Sequence, residues 1–230
     1  MRCIVTGITE MSGTKVCMSL YSLEDKRYFR PLKNGYNFDI SEILGIDLYS
    51  LVDVNPSGDE LLMEYPHCED LNIESPYFTF IREYTDKELY DFFTDTAYVD
   101  TKEMFGEGSL IKQGRTWGIL SNTGKRSLGT VEVDYFEITK DTFNPEKPSY
   151  RVSFRDLSGE LYSNIKFVIK ALPSKKDEML GEYEKEYEDD RLFLRLSLAR
   201  EWNNGQWEDD MCVLQVSNFA CFENKELVNL

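Results

Sequence analysis

Arg2-Cys3-Ile4-Val5-Thr6-Gly7, Lys15-Val16-Cys17-Met18-Ser19-Leu20-Tyr21 and Tyr28-Phe29-Arg30-Pro31-Leu32 are the three runs on which the fold turns. A loop containing Ser12-Gly13-Thr14 separates the first two, and a polar turn over residues 22–26 leads into the third. Short apolar runs rich in β-branched and aromatic residues, bounded by Gly, Ser and Asp, read as strands. The three form a β-meander. Its third strand carries Tyr28 and Arg30 on one side, because side chains two apart on a strand point the same way. Lys26 has the same parity if the strand begins there.

Working outward, Leu48, Leu51, Val52 and Val54 mark another strand, closed by the turn sequence Asn55-Pro56-Ser57-Gly58. Residues 60–65 are expected to return as its hairpin partner, and Tyr77-Phe78-Thr79-Phe80-Ile81 is a further strand. A helix follows. Thr85 and Glu88 have the spacing of a capping box, and Leu89, Phe92 and Phe93 give the helix one apolar face. Residues 94–109 show no period and read as the connection between two halves.

The second half repeats the strand-and-turn rhythm. Thr116-Trp117-Gly118-Ile119-Leu120 is followed by the basic turn Asn122-Thr123-Gly124-Lys125-Arg126. Val131, Val133, Tyr135 and Ile138 then alternate with acidic residues, with a slip near Phe136 that predicts a bulge. Tyr150-Arg151-Val152-Ser153-Phe154 and residues 161–169 flank a turn at Leu157-Ser158-Gly159-Glu160. Residues 191–198 and 211–216 close the chain, joined by a turn over 202–207 that bears Trp202 and Trp207. Met179, Leu180, Tyr183 and Tyr187 stand at helical spacing, so a second, acidic helix is predicted over 174–190.

Frequent short strands and few helices define a mainly β protein with a few short helices. The halves, 1–105 and 106–230, each offer roughly five strands and a helix. That count fits an OB-type barrel in each half; the pattern by itself fits SH3-like barrels or one larger sandwich equally well. No internal sequence repeat is visible.

Charge restricts function. The chain of 230 residues carries a net charge of −16, a field that repels polyanions from the surface as a whole. The distribution is uneven. Residues 1–105 have a net charge of −11 and residues 177–230 of −9, whereas residues 111–176 carry 12 Lys and Arg against 7 Asp and Glu. No window reaches the roughly 18 apolar residues of a membrane helix, so a cytoplasmic protein with no membrane partner is expected. Five widely spaced cysteines, mostly in apolar runs, read as reduced structural thiols.

The opening strands, the Ser12-Gly13-Thr14 loop and Tyr28-Phe29-Arg30-Pro31 resemble the start of the dual OB domain family of bacterial and archaeal defence-associated loci. Its third strand carries an aromatic-x-Arg-Pro signature, more often with tryptophan. His67-Cys68-Glu69-Asp70, after Tyr65-Pro66, is similar to the family's His-and-acid motif but one residue tighter. The resemblance implies two OB folds packed together and a nucleic-acid or nucleotide-like ligand, with no catalytic residues.

Strand-binding OB surfaces pair aromatic faces with cations, stacking contributing about 1–3 kcal/mol per base. Tyr28, Arg30 and Lys33 are candidates in the first half; in the second, Lys112, Arg115, Trp117, Lys125 and Arg126 interleave cation and aromatic. The competing reading of the first group puts Phe29 in the core, Arg30 in a structural ion pair and Pro31 at the end of an edge strand. Catalysis is not expected. His67 is the single histidine, and neighbouring His67 and Cys68 on an extended segment point apart rather than forming a nucleophilic pair. No cofactor or metal is implied by the spacing. The expected function is non-enzymatic binding of single-stranded nucleic acid or a nucleotide-like ligand, in concert with a defence-system protein partner. The alternative is an acidic interaction adaptor or nucleic-acid mimic, using residues 182–190 and Glu208-Asp209-Asp210.

Overall fold

A computed structural model describes residues 1–58, 62–146, 148–170, 173–203, 205 and 208–228. The meander forms as three strands, β1 (Arg2–Glu10), β2 (Lys15–Ser22) and β3 (Arg27–Leu32). After a two-residue strand, β4 (Phe38–Asp39), come β5 (Ser50–Pro56), β6 (Leu62–Glu64) and the long β7 (His67–Glu83). Strand β1 pairs with both β2 and β5, β5 with β7, and β3 runs parallel to β7, so five strands close into a barrel. Val5, Leu20, Phe29, Val52 and Leu71 are among the side chains that fill it. Strand β6 pairs with β7, at Leu62↔Asp70 and Glu64↔His67, and not with β5 as the hairpin reading expected. Residues 60 and 61 of that expected hairpin lie outside the described residues.

Between the halves run α1 (Asp86–Thr96) and α2 (Thr101–Phe105). The capping box is present: Thr85 Oγ1 accepts from the Glu88 backbone, and Glu88 accepts from the Thr85 backbone. Leu89, Phe92 and Phe93 join Ile4 of the first barrel to Phe193 and Phe222 of the second half. The apolar face of α1 thus glues the two halves. Helix α2, in the stretch that showed no period, is one short turn capped by Asp100, and buries Met104 and Phe105.

The second half contains β8 (Leu110–Gln113), β9 (Thr116–Leu120), β10 (Leu128–Asp141), β11 (Ser149–Asp156), β12 (Leu161–Phe167), α3 (Pro173–Glu178), β13 (Gly181–Glu184), β14 (Arg191–Leu198), β15 (Met211–Glu223) and β16 (Glu226–Val228). The path β12-β11-β10-β14-β15 returns on itself through the parallel pair β12–β15, at Lys166↔Gln215 and Phe167↔Val216. Each half therefore closes through one parallel pair, β3–β7 or β12–β15, a repeat of topology that leaves no trace in sequence. Expected turns and the slip in β10 are present, the irregularity falling between Val133 and Tyr135.

The predicted helix over 174–190 is a correction. Helix α3 ends at Glu178, and residues 181–184 are an edge strand on β10, with Tyr183 stacked on Phe136 at 4.5 Å. Gly181 takes φ 153°, and the exposed edge of β10 supplies backbone partners that a solvated helix would forgo. Helical spacing of aromatics matched a pattern that a short edge strand met better. Residues 204, 206 and 207, including Trp207, lie outside the described residues.

Candidate nucleic-acid interface

The parity of β3 puts Tyr28 and Arg30 on one side, and that side faces the second barrel. Phe29 points into the first core, while Tyr28 and Arg30 are 6% and 5% exposed. The Tyr28 hydroxyl lies 2.9 Å from Thr130 Oγ1, and its ring lies 4.4 Å from the guanidinium carbon of Arg195. Burial lowers the Arg195 pKa to about 10, so it stays cationic at neutral pH, held by Tyr28 and by the carbonyls of Gly129 and Leu196. Arg30 stands in register with Asp70 across the parallel β3–β7 pair and is bonded to it. It also donates to Ser127 Oγ at 3.2 Å and lies 3.4 Å from His67 Nδ1. Both residues are buried between the barrels, because the outer face of β3 is covered by the second half.

The segment His67-Cys68-Glu69-Asp70 completes this clamp, and each of its four residues reaches across. His67 Nε2 donates to the carbonyl of Ala199 at 3.1 Å, which leaves Nδ1 as the acceptor from Arg30. Cys68 Sγ donates to the carbonyl of Lys125 at 3.2 Å. Glu69 accepts from the backbone and hydroxyl of Ser127 at 2.6 and 2.9 Å and from the backbone of Leu128 at 3.2 Å. Asp70 accepts from Arg200 as well as from Arg30. Burial, helped by Arg30 and Arg200, drops the His67 pKa to about 4, so the imidazole is neutral. Burial and Glu69 push the Cys68 thiol up to about 11, so it remains a protonated donor.

Beside the clamp lies an open groove of about 560 Å³. The turn before β3 brings Lys26 to it, the first residue of β3 is Arg27, and the basic turn before β10 brings Lys125 and Arg126. Tyr21 and Tyr98 are half-buried in its walls, and Tyr28 forms part of its floor. Arg126 lies 5.1 Å from the centre of the Tyr98 ring. Four cations thus face two carboxylates, Asp95 and Glu69, and Glu69 is already committed to Ser127 and Leu128. Gly124, at φ 79°, fits the bend of the basic turn; a Cβ there would approach the Phe105 carbonyl at 3.2 Å. Such interleaving of rings and cations is the chemistry of a strand-binding surface.

The eight sequence candidates are not brought to one place. Tyr28, Lys125 and Arg126 meet at this groove. Lys33 bonds Glu42 at 2.5 Å and lies over the Tyr77 ring. Lys112 and Arg115 are exposed on the β8–β9 hairpin, with Lys112 5.3 Å from the centre of the Trp117 ring. Trp117 is 8% exposed, packs against Tyr162 at 4.8 Å, and belongs to the second core. Sequence reasoning missed Tyr21, Arg27 and Tyr98. Arg27 follows Lys26 directly in sequence, a basic pair beside the aromatic strand that could have flagged it, but Tyr98 sits in the segment that showed no period.

No curated protein matches the chain. A solved structure, the tetrameric p202 HIN2, aligns over 94% of this chain and 90% of that one, at 10% identity and a TM-score of 0.28. Likeness that slight carries no inference. The family comparison is decisive: the model of the Dual OB-containing domain matches residues 11–219, which takes in the clamp and, apart from β1 and the end of β15, the strands of both closed paths. This chain belongs to the dual OB-containing domain family.

Proposed function

We propose that this protein binds single-stranded nucleic acid, or a nucleotide-like ligand, in the groove between its two barrels. The observation that carries the reading is the convergence of Lys26, Arg27, Lys125 and Arg126 on the half-buried rings of Tyr21 and Tyr98. In a chain with a net charge of −16, this local excess confines a polyanion to one surface instead of attracting it everywhere. The reading is of binding without catalysis. A neutral His67 engaged at both ring nitrogens and a protonated Cys68 serve the clamp, which supports that view. It extends to a cytoplasmic role in a prokaryotic defence system beside a protein partner, which the resemblance of the opening strands supports. Anisotropy titration of a labelled single-stranded oligonucleotide at two salt concentrations tests it. Saturable binding that weakens with salt is expected, and no saturation at low salt would sink the reading.

A second reading, an acidic adaptor that docks a basic partner, is favoured by one face. Glu182, Glu184, Glu186, Asp190 and Glu223 line a cavity beside Tyr187, which is 64% exposed. Capture of a basic partner that survives loss of the oligonucleotide groove would favour it.

A further inference from the structure

On the other side of the clamp lies a cleft of about 290 Å³, at the lower end of the range for small-molecule sites, with Lys166 and Arg200 exposed at its mouth. Leu128 contributes to the walls of both spaces; Arg30 and His67 face this one, Cys68 and Glu69 face the groove. Among the described residues its lining contains Arg30, Lys166 and Arg200 and no Asp or Glu. The carboxylate nearest in function, Asp70, is shared by Arg30 and Arg200, and Lys166 makes no ion pair among the described residues. Arg30 is offset by Glu69 as well as by Asp70, so the positive charge left for an anion such as a phosphate monoester sits on Lys166, with Arg200 beside it.

The other polar groups specify the body of the ligand. Thr9 Oγ1 donates to the Cys17 carbonyl at 3.3 Å and Ser217 Oγ to the Arg195 carbonyl at 3.1 Å, so both oxygens are left to accept. Asn37 Oδ1 is enclosed and accepts no hydrogen bond among the described residues, a costly state for a buried acceptor. Three acceptors call for donors on the ligand, as hydroxyl groups provide. No Phe, Tyr or Trp lines the space, so a stacked base has nothing to lie on.

We infer that this space is a second binding site, for a small phosphorylated polyol whose phosphate is held by Lys166 and Arg200 and whose hydroxyls donate to Thr9, Asn37 and Ser217. It stands apart from strand binding in the groove, and a failure of the groove reading leaves it untouched.

Calorimetric titration of the whole chain with ribose 5-phosphate tests the site, with inorganic phosphate and ribose as the two halves of the probe. Saturable binding of ribose 5-phosphate is expected, at least tenfold tighter than inorganic phosphate, with no saturation by ribose. Lys166→Glu should weaken it at least tenfold while leaving the unfolding midpoint unchanged, since Lys166 carries no ion pair. Absence of saturable binding by ribose 5-phosphate, or equal affinity in Lys166→Glu, overturns the inference. The same phosphate chemistry occurs at a strand end. In the Lys125→Glu/Arg126→Glu protein, a 5′-phosphorylated oligonucleotide displaces ribose 5-phosphate if a strand end is the occupant, and fails to if a free sugar phosphate is; either result supports the site.

Discussion

Arg30 and Asp70 form an ion pair at matched positions of two parallel strands, with both side chains buried against the second barrel. Forty residues of chain separate them, and the pairing of β3 with β7 brings them together. Asp70 also holds Arg200. One carboxylate therefore fixes a guanidinium from each half.

Removing that carboxylate leaves Arg30 buried without its counter-charge. Breaking a buried pair from one side costs about 3–5 kcal/mol. Asp70→Asn is expected to destabilise the fold by about that much, measured by urea denaturation; a loss under 1 kcal/mol would refute the clamp.

Acid should loosen the same joint. His67 titrates at about 4 in the folded protein, against an ordinary value of 6.5. Between those values the unfolded chain takes a proton that the folded one refuses. The stabilisation is therefore fully present above pH 6.5 and is lost as pH falls toward 4, about 3 kcal/mol in all. Unfolding free energies across this range should show the decline, and His67→Asn should remove that share of it. A parallel decline in the variant would assign the effect to other groups.

The groove makes a charge-specific prediction. Lys125→Glu/Arg126→Glu should weaken oligonucleotide binding on the order of tenfold or more. It should also flatten the salt dependence by about 1.4 in log–log slope, the share of two phosphate contacts on a single strand. Tyr98→Ala should cost about 1–3 kcal/mol as a lost stacking platform. Lys112→Ala/Arg115→Ala, on the β8–β9 hairpin away from the groove, should change affinity little.

Phe93 joins the barrels through Phe193 at 5.1 Å and Tyr49 at 5.8 Å. Phe93→Ala should cost about 3–5 kcal/mol by the cavity it leaves. Separated unfolding transitions for the two halves would then appear in calorimetry; an unchanged single transition at the original midpoint would refute the role of α1 as the joint.

Local features were legible because neighbours in sequence set them. The meander follows from alternation and turn residues, and the start of α1 from Thr85 and Glu88 three residues apart. The same short-range logic failed at 181–184, where the free edge of β10 drew four residues into a strand despite their helical spacing. Parity correctly put Tyr28 and Arg30 on one side, but a strand does not encode what covers that side. Sequence reading flagged part of the groove: Tyr28 and Lys26 by strand parity, Lys125 and Arg126 as a basic turn. Its other members stand at residues 21, 27 and 98, brought together only when α1 and the clamp seat one barrel on the other.

By itself, then, the sequence determined a mainly β chain of two strand-rich halves, because hydrophobic period and turn chemistry are local properties. Tertiary structure alone decided that the Arg-Pro and His-x-Glu-Asp segments bind the barrels to each other, leaving the basic groove beside them. Hydrogen bonds such as Glu69 to Ser127, 58 residues apart, depend on which outer faces meet. That choice is made by the summed burial of α1 and both barrel walls, which no single stretch specifies.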